Sequence, residues 1–201
     1  MLVVILIAAL MTAIASALMT TTITETVIGG AHRASQETLY AADAALERTI
    51  GALSLVPDWS AVLAAPPGNL VAPFDDGQVA PLTPDGRHLD LARQLALRQS
   101  ASNSQYGSSV FGVDSPRWRL YGHSGFNRLL LPGLAAPPAY LLVWVADDGA
   151  DGDGDPGVDS NGQIALFVDA FGLGGAHRAI EAAIGRAGPE VARLLTWKEV
   201  H

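Results

Sequence analysis

Hydrophobic residues fill almost every position from Met1 to Met19 (MLVVILIAALMTAIASALM). Only Thr12 and Ser16 are polar there, and the first ionisable side chain is Glu25. About 20 apolar residues carry a helix across a hydrocarbon core of about 30 Å. Beyond Glu25 the pattern changes rather than stops. Leu39, Ala42, Leu46, Ile50 and Leu53 recur at three- and four-residue steps and form one apolar stripe, while Arg33, Glu37, Asp43, Glu47 and Arg48 occupy other faces. Arg33 and Glu37 are placed to pair across one turn. The spacing predicts a single helix from Leu2 to Ser54, about 80 Å long at 1.5 Å per residue. Residues 1–24 form its membrane-spanning half and 25–55 its amphipathic half. Gly29 and Gly30 interrupt the pattern, and their cost of about 1 kcal/mol each relative to alanine predicts a local bend or melted turn.

From residue 56 to 201 the punctuation is different. Pro57, Pro66, Pro67, Pro73, Pro81 and Pro84, with Gly68, Gly77 and Gly86, make the stretch up to Arg87 a loop-rich connector. Trp59, beside Pro57, is placed to cover the end of the long helix. Leu91, Leu95 and Leu97 predict a short helix from Leu89 to Ser100, followed by a loop through SASNSQYGSS. The period then shifts towards two. Arg117 to Tyr121, Tyr140 to Ala146 and Gln163 to Phe171 read as strands, the last with Ile164, Leu166 and Val168 on one face and Phe167 and Asp169 on the other. A hairpin through Gly172, Gly174 and Gly175 leads to a segment with Ile180, Ala182 and Ile184 that suits a strand or, by its alanines, a helix. The tail RLLTWKEVH reads as an edge strand. The fold class expected is α+β: a long N-terminal helix packed on an antiparallel sheet.

Composition narrows the function. The formal charge is -8, so phosphate backbones and anionic headgroups are repelled and no nucleic-acid partner is expected. The chain has no cysteine, which excludes disulfides, zinc thiolates and thiol catalysis but is compatible with either redox compartment. A cleaved secretory signal would carry a basic leader and a shorter apolar core, whereas the first basic side chain here is His32. The length of the run and its helical continuation favour a retained anchor.

The segment ITETVIGGAHRASQETLYAADAALERTI resembles the N-terminal helix of PilX-type minor pilins, the assembly proteins of type IV pili. An apolar run is followed by a polar Thr/Glu turn and then by the patch Tyr40, Ala41, Ala42, Asp43, Ala44, Ala45, Leu46, Glu47. The likeness covers the first 55 residues or so well. It extends more loosely to the acidic loop before Asn161-Gly162, the Gly-rich hairpin and the LLTWKEV ending, and does not cover the middle. It implies a type IV pilin-like fold, a single pass through the bacterial inner membrane with the head in the periplasm, and assembly into a pilus at tip or shaft. The implied partners are other minor pilins, the major pilin, a tip-associated adhesin and inner-membrane lipid. It also implies a basic leader ending in Gly ahead of these residues, so the processing site is assigned to none of them. Main pilins use a Glu near the mature N-terminus; with no acidic residue before Glu25, a minor subunit fits better. A type II secretion minor pseudopilin is the alternative within the class. The alternative outside it is an enzyme or ligand-binding domain on a single-span anchor, which predicts a deep polar pocket with perturbed titratable groups. The leading expectation is a non-enzymatic structural and assembly subunit.

Several constellations invite chemistry. Asp147, Asp148, Asp151, Asp153, Asp155, Asp159 and Asn161 alternate with glycines in one loop, the arrangement that wraps several oxygens round a hard cation such as calcium. Candidate metal ligands are Asp147, Asp151, Asp153, Asp155, Asp159 and Asn161. The EF-hand pattern fails, since Pro156 falls where Gly belongs and Gly162 where the bidentate Glu belongs. A solvated acidic turn is the competing reading. Gly172-Leu173-Gly174-Gly175-Ala176-His177 has His177 in place of the third glycine of a dinucleotide-binding turn and too little chain after it, which favours a hairpin. Gly122-His123-Ser124-Gly125-Phe126 matches a nucleophile elbow except at its last position, and a surface turn is expected instead. His32, His88 and His201 have no metal-ligand spacing and read as polar surface or interface groups. Trp118, Trp144 and Trp197 read as core or sheet-face residues.

Overall fold

In the computed structural model the described residues are 1–65, 75–106, 116–130, 134–188 and 191–200, the side chains of 105 and 106 excepted. Helix α1 runs from Leu2 to Ser54, 53 residues without interruption. The bend expected at Gly29-Gly30 does not occur, and both glycines continue the helix. A helix incurs its nucleation cost once, so long flanks propagate through two poor formers. The helix stops at Ser54 because Pro57 cannot extend it. The indole N–H of Trp59 donates to the Leu53 carbonyl at 2.9 Å and fills one of the acceptors orphaned in the last turn. Trp59 is fully buried there, the cover for the helix end that its position suggested. A short helix, α2 (Ser60–Ala64), follows in the connector.

Five strands form one antiparallel meander in chain order: β1 (Arg119–Gly125), β2 (Ala139–Asp147), β3 (Gln163–Gly172), β4 (His177–Gly188) and β5 (Val191–Val200). Both faces of this sheet are covered, which explains the near-continuous apolar run of β2. Leu141, Val143 and Val145 face one way, with Ile164, Leu166 and Val168 from β3 and Ile180, Ala182 and Ile184 from β4. The alanine-rich segment is therefore a strand. Tyr140, Leu142, Trp144 and Phe167 face the other way, under Trp118 and Leu89. Trp197 differs from the other two expected sheet tryptophans: it is 44% exposed on β5 and its indole donates to Asp43 of α1 at 3.3 Å.

The amphipathic half of α1 lies on the first face through Thr38, Ala41, Ala42, Ala45, Leu46, Thr49, Ile50 and Leu53. Four-residue recurrence of small side chains brings the helix backbone close to the strands. At Gly172 the approach is so close that an added Cβ would stand 2.0 Å from Thr38 Oγ1. Polar tethers mark both ends of the docked segment. Arg178 of β4 donates to Ser35 and, at 3.0 Å, to Glu199, while the Ala192 N–H donates to Ser54 Oγ at 3.1 Å.

Helix α3 (Leu91–Tyr106) covers the second face through Leu91 and Leu95. It starts later than expected and extends into the stretch read as a loop; residues 107–109 of that stretch lie outside the described residues. Side chains make the extension. Gln99 donates to the Pro116 carbonyl at 2.8 Å and accepts the Trp118 N–H at 3.0 Å, and Ser104 bonds back to Ser100. Tertiary anchoring overrides the turn preference of Ser and Asn. The Gly122–Phe126 stretch is also corrected. It is not a surface turn: Gly122, His123 and Ser124 are buried in β1, and Phe126 opens a 3-10 turn.

Candidate functional site

All residues from Met1 to Arg33 are exposed, so the apolar half of α1 projects free of the sheet. Leu2, Val4, Leu6, Leu10, Leu18 and Ile23 are each more than half exposed and lie on all sides of the helix. This is the one helix among the described residues long and apolar enough to cross a membrane. Its polar side chains are compatible with that. The hydroxyls of Thr12, Ser16, Thr20, Thr21, Thr22, Thr24 and Thr26 each donate to the carbonyl four residues back. No hydroxyl in this set asks for water, so the surface suits lipid or other apolar helices. Ala8, Ala9, Ala13, Ala15 and Ala17 leave room for close helix approach. Arg33 and Glu37 pair at 2.7 Å where the exposed segment meets the docked one.

A second cluster sits at the end of β2. Asp147 is only 2% exposed. Its Oδ1 accepts the Asp148 N–H at 3.0 Å, while its Oδ2 is buried without a partner. Asp151 is 3% exposed and accepts from the backbone N–H of Ser160 at 2.6 Å and from the Ser160 hydroxyl. One carboxylate oxygen from each of Asp147, Asp151 and Asp153 lies within 4.8 Å of the others. Burial first, and then the charges of Asp151 and Asp148, push the Asp147 carboxyl up to about 7. Burial also pushes Asp151 upward, but hydrogen bonds from Ser160 and from the backbone of Asn161 and Asp153 together outweigh it and hold that carboxyl below its ordinary value.

Asp155, Asp159 and Asn161 do not join that trio. Asp155 Oδ1 accepts the Gly157 N–H at 2.9 Å, and Asp159 Oδ1 accepts those of Gly162 and Gln163 at 2.7 and 3.1 Å. Asn161 donates to Asp148 Oδ1 at 2.9 Å. These are the bonds that shape the loop between β2 and β3. The Asp159 N–H donates to Ser60 Oγ at 3.1 Å and fastens the loop to α2.

A third cluster was not visible in the sequence. His123 Nδ1 lies 2.8 Å from the Tyr140 hydroxyl, which in turn donates to Asp76 Oδ2 at 2.9 Å. His123 Nε2 lies 3.5 Å from Asp75 Oδ1. Burial, with Asp76 beside it, raises the Tyr140 hydroxyl far above its ordinary value. Both ring nitrogens are engaged, so the group is self-satisfied and pins the connector to β1. Ser124 donates to the Gly125 carbonyl at 3.2 Å rather than to His123, so no nucleophile and base face each other here. The antiparallel pairing of β1 with β2 sets His123 opposite Leu142 beside Tyr140, and the connector comes back to His123 through a bridge at Asp75 and the Asp76 N–H, which donates to the His123 carbonyl at 3.1 Å.

Family models, curated proteins and solved structures return no match to this chain. The remaining sequence candidates are placed by the geometry. The glycine turn after β3 is a tight connection, with Gly174 and Gly175 at φ of 65° and 75°. Their N–H groups donate to Asp85 at 3.0 and 2.8 Å, so the chain's own carboxylate occupies the position an anion would take. His177 Nε2 lies 2.9 Å from Asp169 Oδ1, and His32 and His88 are exposed. His201 lies outside the described residues. Beside the acidic loop a groove of about 460 Å³ is lined by Trp118, Ala165, Thr196 and Lys198 among others.

Proposed function

We propose that this chain is a structural and assembly subunit of a type IV pilus, a minor pilin held in the bacterial inner membrane with its head in the periplasm. A single observation carries the reading. One unbroken helix is greasy and exposed over its first half and is fixed to a five-stranded sheet over its second. An isolated membrane anchor needs only a span and a linker. A helix that leaves the lipid-grade stretch and continues, without a joint, along the core of the head transmits the position of one to the other. That rigidity is useful to a subunit whose apolar half exchanges lipid for the apolar helices of its neighbours. On this reading other minor pilins and the major pilin are its partners, and the exposed edge strand β5 faces outward.

The test is genetic and biochemical. In its native bacterium, deletion of the gene should reduce surface pili, and a copy lacking residues 2–24 should not restore them. Because the chain has no cysteine, a single Ala13→Cys variant should also cross-link to neighbouring pilin helices in membranes. Normal piliation with a loss of protein secretion would point instead to a type II secretion pseudopilin. Normal piliation and secretion, with no cross-linked partner, would overturn the reading.

A further inference from the structure

We infer that Asp147, Asp151 and Asp153 form a calcium site that locks the loop between β2 and β3. Acidic loops are common without a cation, and the sequence pattern alone is equally suited to a solvated turn. The deciding feature is Asp147. It is 2% exposed, and its Oδ2 has no hydrogen-bond partner, whereas Asp151 and Asp159 of the same loop accept backbone N–H groups. A buried carboxylate oxygen left unpaired is costly, and more so beside two further carboxylates. A bound cation removes both costs at once.

Geometry selects the ion. Oxygens on opposite sides of a calcium ion, each at 2.3–2.6 Å from it, are about 5 Å apart. One oxygen from each of the three aspartates falls inside that limit, at 4.8 Å or less from the others. The donor set is all oxygen and carries up to three negative charges, which suits a hard divalent cation. Magnesium requires a tighter octahedron and gives up its water reluctantly. Asp153 is exposed, leaving the site open on one side for water to complete the coordination. The contrast with His123, Tyr140, Asp75 and Asp76 is instructive, because that cluster already satisfies itself.

The ion would fix more than its ligands. Asp151 holds Ser160, and the next residue back, Asp159, is bonded to Ser60 of α2. Calcium at Asp147 therefore ties the end of β2 through the loop to the cap over the α1 terminus. This inference does not depend on the pilus reading.

The full chain, purified in a nonionic detergent and stripped with a chelator, is the material to test. Calcium titration calorimetry should give one ion per chain, and calcium should raise the melting temperature by about 5 °C or more at saturation. Magnesium at the same concentration should do much less. Asp147→Asn retains the shape but not the charge, and should abolish the calcium response while leaving the stripped protein at least as stable. Asp153→Asn, at an exposed position where Asn can still cap the Asp155 N–H, should weaken calcium binding tenfold or more without disturbing the fold. No calcium response in the wild type would overturn the site. So would an equal response to magnesium, or an undiminished calcium response in Asp147→Asn.

Discussion

The two halves of α1 share one backbone geometry and differ in what surrounds them. Residues 2–24 present Leu, Ile and Val on all sides to the outside, whereas residues 35–54 bury a narrow stripe of Ala, Leu and Thr against the sheet. Helix formation therefore says little about function here. The width of the apolar surface says more, because a stripe needs one partner and a fully apolar cylinder needs an apolar medium on every side. Each half should fail in its own way when a charge is introduced. Leu46→Asp places an unpaired carboxylate among fully buried side chains and should destabilise the head by roughly 3–5 kcal/mol. Denaturation of the full chain in detergent, followed by tryptophan fluorescence, measures it. Leu10→Asp should leave that transition in place and instead reduce retention in membranes, at an insertion cost of about 2.5–3.5 kcal/mol. Equal loss of head stability in both variants would mean that the halves are not independent.

A second pair of positions sharpens the comparison within the docked region. Gly172 has ordinary backbone dihedrals, and its lack of a side chain matters because Thr38 is packed against it. Gly172→Ala should push α1 away from β3 and cost about 1–3 kcal/mol, the scale of overpacking. At Gly185 an added Cβ would stand 2.8 Å from Leu195 Cδ1, the far end of a side chain on the exposed edge strand. Gly185→Ala should therefore cost less, and thermal denaturation of the two variants should rank them in that order. Trp59→Phe tests the end of the same docked segment. It keeps an aromatic ring over the terminus but removes the hydrogen bond to Leu53, and should cost about 1 kcal/mol.

What could be read from the sequence follows the range of the interactions involved. The long helix, its stripe and its stop before Pro57 come from local periodicity and backbone chemistry, and so do the alternating faces of Gln163–Phe171. The meander order and the close contact at Gly172 depend on tertiary packing. α3 extends further than its local pattern because Gln99 anchors it to Pro116 and Trp118, 17 and 19 residues on, a contact that no local propensity encodes. The acidic loop was visible as a cation candidate from composition. Its division into a trio and a set of turn-shaping groups was not, because Asx turns and metal sites draw on the same residues. The His123 cluster depends on strand pairing and on a connector folding back over it, and it had no sequence signal. At Gly122–Phe126 the near match to a nucleophile elbow points to a turn, while antiparallel pairing with β2 carries Gly122 to Gly125 as a strand.

The smallest expected effect concerns Gly29 and Gly30, the positions where sequence predicted a bend and the structure has none. Nothing lies within 4 Å of a Cβ added at either position, so alanine there meets no neighbour and changes only the backbone's freedom. The gain should be about 1 kcal/mol for each substitution in the local helix. It should not appear in the unfolding of the head, because these residues lie ahead of the docked segment that begins near Ser35. Hydrogen exchange on the full chain in detergent separates the two quantities. Amides of residues 25–34 should exchange several-fold more slowly in the Gly29→Ala/Gly30→Ala variant, with the denaturation midpoint of the head unchanged. A midpoint shift as large as that of Gly172→Ala would show that the junction is coupled to the core. Unchanged exchange would show that the glycine pair already propagates the helix as firmly as alanine does.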